Sequence, residues 1–249
     1  VDGFDIKVAS EVMAVFCLSL PKTPPAGSSE KNPALAALGA VRFQPLLTLF
    51  LLAVPVSIIH QFYFVHTESF LGSLQVAAPE WSKTIFGVGG GGLMTVGQMS
   101  EVLVLAAIPF LAKRYSRKTF LAVGLLAYGL RMALFAYVDV LPMPVMTTLL
   151  AGIALHGLCF GCFIFVAFMI VDENTSDSVR ASAQNLFNLV IVGIGVIVGS
   201  KIAGSVAAWA TDDAGSTDYT RLFSVPMWAS VAVFFLLLLI YPSSRREVA

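Results

Sequence analysis

Charge is scarce in this chain. Asp, Glu, Lys and Arg make up 12% of its 249 residues, against about a quarter in an ordinary soluble domain, while 57% are hydrophobic and mean hydropathy is +0.85. That shortage excludes a soluble globular fold. A formal net charge of +0 gives no footing for nucleic acid or for an acidic partner. The three cysteines, Cys17, Cys159 and Cys162, all fall in apolar stretches and build no disulfide framework. With three histidines and neither an H-E-x-x-H nor a G-x-S-x-G pattern, the chain reads as no enzyme, with no metal site and no organic cofactor. A basic flank and a small-residue cleavage site are also missing, which excludes a signal peptide. There is no initiator methionine, and the apolar run from Phe4 to Leu20 starts abruptly. The expectation is that the chain begins inside a longer protein.

What is present is a series of long apolar runs. A helix needs about 20 mostly apolar residues to cross a bilayer, and five runs qualify, at 45–67, 93–112, 119–138, 146–171 and 221–241, with a glycine-rich sixth at 182–209. The predicted fold class is all-α, a polytopic bundle of membrane helices. Residues 1–20 read as the end of a preceding membrane helix. Residues 21–44, with Pro21, Pro24, Pro25, Gly27, Ser28, Ser29 and Pro33, read as a linker. Residues 45–241 form the bundle and 242–249 a tail. Lys22, Lys31 and Arg42, then Lys113, Arg114, Arg117 and Lys118, then Arg180, then Arg245 and Arg246 all fall in alternate connections, which assigns those to the cytoplasmic side. The opposite connections hold little more than Lys83 and Arg221. On this threading the sequon Asn174 to Ser176 is cytoplasmic.

Ionisable side chains deep in a membrane are expensive and need a partner, a wet cavity or a function. Glu101, Arg131 and His156 are three such residues. Glu101 lies 12 residues before Lys113 and Arg131 lies 13 residues after Lys118, which places both roughly 18 to 20 Å from the cytoplasmic boundary. At matching depth on successive antiparallel helices, they are expected to pair. A carboxylate with an exchangeable partner suits proton coupling; a permanent structural bridge is the alternative. Gln98 shares a helix face with Glu101, serving either a polar ligand or an interhelical hydrogen bond. Gln61 is deep enough in the first span to line a cavity. His156 is a candidate proton relay or a packing residue.

Cys159 and Cys162 have C-x-x-C spacing, but without a second ligand pair they read as small packing residues. Phe160 and Phe163 flank them and serve either to stack a planar ligand or to fill the core. Gly195 and Gly199 form G-x-x-x-G beside Gly193 and Gly204, a pattern for close helix approach and not a nucleotide fingerprint. Gly89 to Gly92 mark a closely packed or flexible entry to the second span.

A proline-rich linker followed by six spans, with the basic loop AKRYSRK (Ala112 to Lys118) between the second and third, resembles the C-terminal half of a major facilitator superfamily transporter, two six-helix halves around a midplane site. The patches GQMSE (Gly97 to Glu101), LRMALFAY (Leu130 to Tyr137), LHGLCF (Leu155 to Phe160) and VRASAQNLF (Val179 to Phe187) are similar, in order and spacing, to those of the bacterial nucleoside:proton symporter family. The resemblance implies helices 7 to 12 of such a carrier, a small nucleoside-like substrate imported with a proton, a bacterial inner-membrane location with a cytoplasmic C-terminus, and a missing N-terminal six-helix half as partner. Carried over residue by residue, it implies substrate contacts from Gln61, Gln98 and Glu101, with Phe160 or Phe163 as the aromatic contact. From the intramembrane charges themselves, proton coupling is expected of Glu101, with Arg131 and His156, and the basic connections make Lys113, Arg114, Arg117, Lys118 and Arg180 the expected cytoplasmic gate. One departure bears on substrate: Phe64 stands where the family's characterised carriers have an asparagine three residues after the first-span glutamine, which implies a modified nucleoside or another small polar metabolite. Within transport the alternative is a sugar or oligosaccharide symporter of the same superfamily; outside it, a membrane scaffold.

Overall fold

The structure is a computed structural model that describes residues 3–21, 32–74, 80, 84–85 and 90–242. Lys22, Pro24, Pro25, Gly27, Ser28, Ser29, Lys31, Lys83, Gly89, Arg245 and Arg246 lie outside the described residues.

Among the described residues the helices are numbered in chain order as α1 (Gly3–Leu18), α2 (Pro33–Ala40), α3 (Leu46–Leu74), α4 (Gly90–Leu111), α5 (Arg117–Ala136), α6 (Val145–Glu173), α7 (Arg180–Ala210) and α8 (Tyr219–Ile240). The last six are long and apolar enough to span a membrane, as expected from the runs. Among the described residues there is no β-strand beyond an isolated bridge between Thr211 and Thr217. The chain is an integral membrane protein.

The first span and the linker differ from the sequence reading. The first span runs to Leu74, not 67, because Thr67, Phe70 and Leu71 are still buried; Phe70 packs on Tyr219, Phe223 and Phe135 at ring separations of 4.8, 5.0 and 5.5 Å. The linker stretch contains α2. Asn32 caps it by accepting the Leu35 N–H, and Pro33 sits in its first turn, where a missing N–H costs nothing. Buried Ala37 joins the core at the start of α7. Helix α1, by contrast, exposes Val12, Met13, Val15, Phe16 and Leu18.

Chain order is not spatial order. Helix α8 packs along α5, α7 along α3, and α4 along the first half of α6, which also packs on α5. Helices α4 and α5 are therefore separated by α6, although they are consecutive. In α3, α5 and α6 56–61% of the span is buried, against 17–28% in α4, α7 and α8, so the first three form the centre. Close approach rests on glycine: a Cβ on Gly199 would stand 3.0 Å from the Ile58 Cα, and one on Gly195 would collide with Ser57. The core has two parts. One, toward the end carrying the basic loop, is built on Leu49, Tyr128, Phe163 and Phe187. The other, toward the opposite end, is built on Phe62, Phe70, Phe135 and Phe223. Arg131 and His156 are buried where the helices that carry these two cores cross.

Candidate functional site

Glu101 and His156 meet because α4 and α6 are stripped to backbone at their crossing. A Cβ on Gly157 would lie 2.5 Å from the Ser100 carbonyl carbon, and one on Gly97 would lie 3.1 Å from the His156 Cβ. The Gly157 N–H donates to Ser100 Oγ at 3.0 Å, tying the helices together. One residue along each helix from that tie, His156 Nε2 stands 3.4 Å from Glu101 Oε2. The Glu101 side chain stays 24% exposed while that of His156 is 6% exposed, so the carboxylate is the open end of the pair.

Arg131 is fully buried, and its partner is not the one expected. Its Nη1 donates to His156 Nδ1 at 3.0 Å, so the imidazole sits between Arg131 and Glu101 and the direct carboxylate–guanidinium pair does not form. Equal depth sets height along the bundle but not position around it, and α6 occupies the space between α4 and α5. The guanidinium lies over the ring of Tyr63 at 4.1 Å and near that of Tyr128 at 5.2 Å, a contact worth about 2 kcal/mol when desolvated. Among the described residues, Nε and Nη2 of Arg131 have no hydrogen-bond partner.

An aromatic shell holds this chain of three. The rings of Tyr63 and His60 stack on His156 at 4.9 and 5.7 Å, and Tyr128 Oη is 2.6 Å from His60 Nδ1. Phe64, half exposed, sets its edge against His60, Tyr63 and His156. Sequence reasoning gave Tyr63, His60 and Tyr128 no role. A usable signal existed: Tyr128 is three residues before Arg131 and Tyr63 three after His60, each pair on one helix face. Lys201, beside Ser200 in the glycine-rich run, is exposed on α7.

The remaining candidates separate. Gln98 is exposed one turn before Glu101 on the open side of α4. Gln61 turns to the α3–α7 seam, where its Nε2 donates to Ser200 Oγ at 2.9 Å. Phe160 is half-buried and stacks beyond His156 at 6.5 Å. Phe163 is fully buried in the core and presses on Gly124 of α5, so it packs the bundle. Cys159 and Cys162 are free and buried.

At the basic end the five gate candidates divide as well. Arg117 grips Glu173 through Nε and Nη2, with Nε at 3.1 Å. The ammonium of Lys118 donates to the Leu238 and Tyr241 carbonyls, both at 2.9 Å, and Arg180 pairs with Asp172 and Asp177 at 3.3 and 2.7 Å. These three are spent on ties inside the bundle, because α6 and α8 end beside them with acidic side chains and free carbonyls. Lys113 and Arg114 are exposed. Just past α8, burial pushes the Tyr241 hydroxyl up to about 12, with Glu173 adding to the shift.

The sequence profile of a family described as "Nucleoside H+ symporter" matches residues 6–246. Among curated proteins, the chain is 28% identical over 232 residues to the nucleoside permease NupG of Escherichia coli (strain K12), an alignment covering 91% of this chain and 54% of that protein. It is 29% identical over 235 residues to the xanthosine permease of the same organism, covering 91% and 53%. The chain thus spans about half the length of the curated relatives it matches. Among solved structures it is similar to the nucleoside transporter NupG, with a TM-score of 0.73 at 25% identity over 94% of this chain and 58% of that one. A single-substitution mutant of NupG gives 0.76 with the same identity and coverage.

Proposed function

The chain belongs to the nucleoside H+ symporter family, within the major facilitator superfamily, and we propose that it forms one half of an alternating-access transporter that imports a nucleoside, or a closely related polar metabolite, together with a proton. The observation that carries this reading is the Glu101 carboxylate: part open on the least buried helix of the bundle, beside Gln98, and backed by an imidazole that a buried arginine holds. An intramembrane carboxylate in that setting can gain and lose a proton from the open side while its partners stay fixed.

In this scheme the bundle rocks against a second six-helix half, with Gln98 and Glu101 facing the cavity and Phe160 and Phe64 supplying aromatic edges for a planar base. Gln61 joins once its amide leaves Ser200. Phe64 narrows the polar demand on that side and favours a nucleoside with fewer hydrogen-bonding groups there, or a modified one. Lys113 and Arg114 are the basic residues left to act across the gate. The grouping of Lys113, Arg114, Arg117, Lys118 and Arg180 at one end supports a cytoplasmic position for that end, and for the C-terminus, in the inner membrane of a bacterium.

The test is uptake of radiolabelled uridine and adenosine into proteoliposomes holding the full-length protein, with and without an inward proton gradient. Gradient-driven uptake that Glu101→Gln abolishes is the expected result. Uptake that a disaccharide blocks and adenosine does not would replace the nucleoside reading with the sugar symporter.

A further inference from the structure

The order of donors and acceptors along Arg131, His156 and Glu101 follows from valence alone. A guanidinium carries only N–H donors and stays charged in proteins, so His156 Nδ1, 3.0 Å from Arg131 Nη1, is the acceptor and bears no proton. A neutral imidazole then keeps its single hydrogen on Nε2, the nitrogen 3.4 Å from Glu101 Oε2. Protonating His156 would set an N–H against the Arg131 N–H in a pocket where Arg131 is fully buried. The other titratable groups around the pair are His60 and Tyr63 on α3, Tyr128 on α5 and Cys159 on α6. His60 and Tyr128 are hydrogen-bonded to each other, the Tyr63 ring lies flat against both the guanidinium and the imidazole, and Cys159 is fully buried. Glu101 alone combines exposure with an ionisable oxygen at the end of the chain.

We propose that His156 is a positioning residue: Arg131 locks it as the neutral Nε2–H tautomer, and in that form it steadies the Glu101 carboxylate and takes no part in carrying the coupling proton. The use of the proton rests on the transport reading above; the lock itself does not depend on any substrate. A proton reaching Glu101 from the open side of α4 neutralises the carboxylate and loosens its hold on the imidazole N–H, while Arg131 keeps the ring in place. His156 is then a strut and not the relay that its chemistry alone suggests.

Nitrogen-15 NMR of the full-length protein labelled in its histidine rings reads the tautomer directly, with the His156 signals identified by their loss in His156→Gln. The expected result is an unprotonated Nδ1 and a protonated Nε2, unchanged over the pH range in which gradient-driven uptake switches on. An imidazolium signal arising in that range, or an Nδ1–H tautomer, overturns the proposal. Arg131→Met should release the ring to a mixture of tautomers, and an unaltered single tautomer would count against the lock. In proteoliposomes His156→Gln, whose amide offers the same acceptor and donor, should keep the pH profile of uptake with a loss of no more than about tenfold, whereas His156→Leu should lose about 100-fold. If His156→Gln binds uridine but loses pH dependence, the imidazole carries the proton and the proposal fails. Should His156→Leu not insert, the NMR spectra of the wild type and Arg131→Met decide. The expected tautomer in a protein that takes up no nucleoside would retire the substrate reading and leave the lock standing.

Discussion

Gly157→Ala adds one carbon where α6 presses on α4. That carbon would meet the Ser100 carbonyl carbon and oxygen at 2.5 Å and the Glu101 backbone nitrogen at 2.7 Å. All three are backbone atoms that cannot rotate away, so the helices must part from 2.5 Å to the 3.4 Å at which ordinary contact begins, a displacement of about 0.9 Å. Two energies oppose each other. Alanine favours a helix over glycine by roughly 0.5–1 kcal/mol, whereas overpacking a tight contact costs about 1–3 kcal/mol, and the second wins. The functional loss is larger. The His156–Glu101 contact, already 3.4 Å, lengthens further, and a misplacement of about 1 Å at a coupled site costs on the order of 100-fold in rate. Gly204→Ala on α7 is the matched control, since its added carbon meets nothing within 4 Å. Gradient-driven uptake and thermal unfolding in detergent are measured for both variants. The reasoning expects Gly157→Ala to lose uptake and some stability and Gly204→Ala to lose neither; wild-type uptake in Gly157→Ala would refute the account of how α4 and α6 assemble the site.

Two further outcomes follow from contacts outside that crossing. Ser200→Ala removes the hydroxyl that occupies the Gln61 amide; because that bond, worth about 1 kcal/mol, competes with a ligand, equilibrium binding of uridine should tighten up to about fivefold, and weaker binding would show that Gln61 does not reach the substrate. Lys118→Met removes two hydrogen bonds to carbonyls at the end of α8, which should lower stability by about 1–2 kcal/mol in this partly exposed setting and leave substrate affinity unchanged; an unaltered unfolding midpoint would show that the ammonium does not secure α8.

The spans were legible because membrane helices announce themselves by length and apolarity, and all six fall where the runs do. Their ends were less so. Phe70 and Leu71 continue α3 on the strength of partners in α5 and α8, which no local pattern names. The polar linker hid α2 because its proline was read as a breaker, when Asn32–Pro33 is equally the cap and first turn of a helix. Within the site, the intramembrane positions of Glu101, Arg131 and His156 singled out, from cost alone, three residues that the fold brings together. Their connection was misjudged, since depth can be counted along a helix and azimuth cannot. Phe160 and Phe163 show the same limit: both are aromatic and three apart, yet one stacks toward His156 and the other fills the core beneath Gly124. The basic loop was found by its charge, but its partners Glu173, Leu238 and Tyr241 are set by where α6 and α8 end.

Helix α6 contains a wide, π-type stretch at Phe160–Phe165, immediately past the segment that carries His156. A turn of that kind accommodates one residue more than a regular helix holds. The two lengths of α6 are therefore like two gears keyed a tooth apart on a single shaft. His156 faces its partners in one setting, while Val166 to Glu173 present Ile170 to the core and Glu173 to Arg117 in the other. Sequence drift on the anchored side can accordingly be absorbed at the wide turn without rotating the His156 side of the shaft, where the imidazole stands between the guanidinium and the carboxylate.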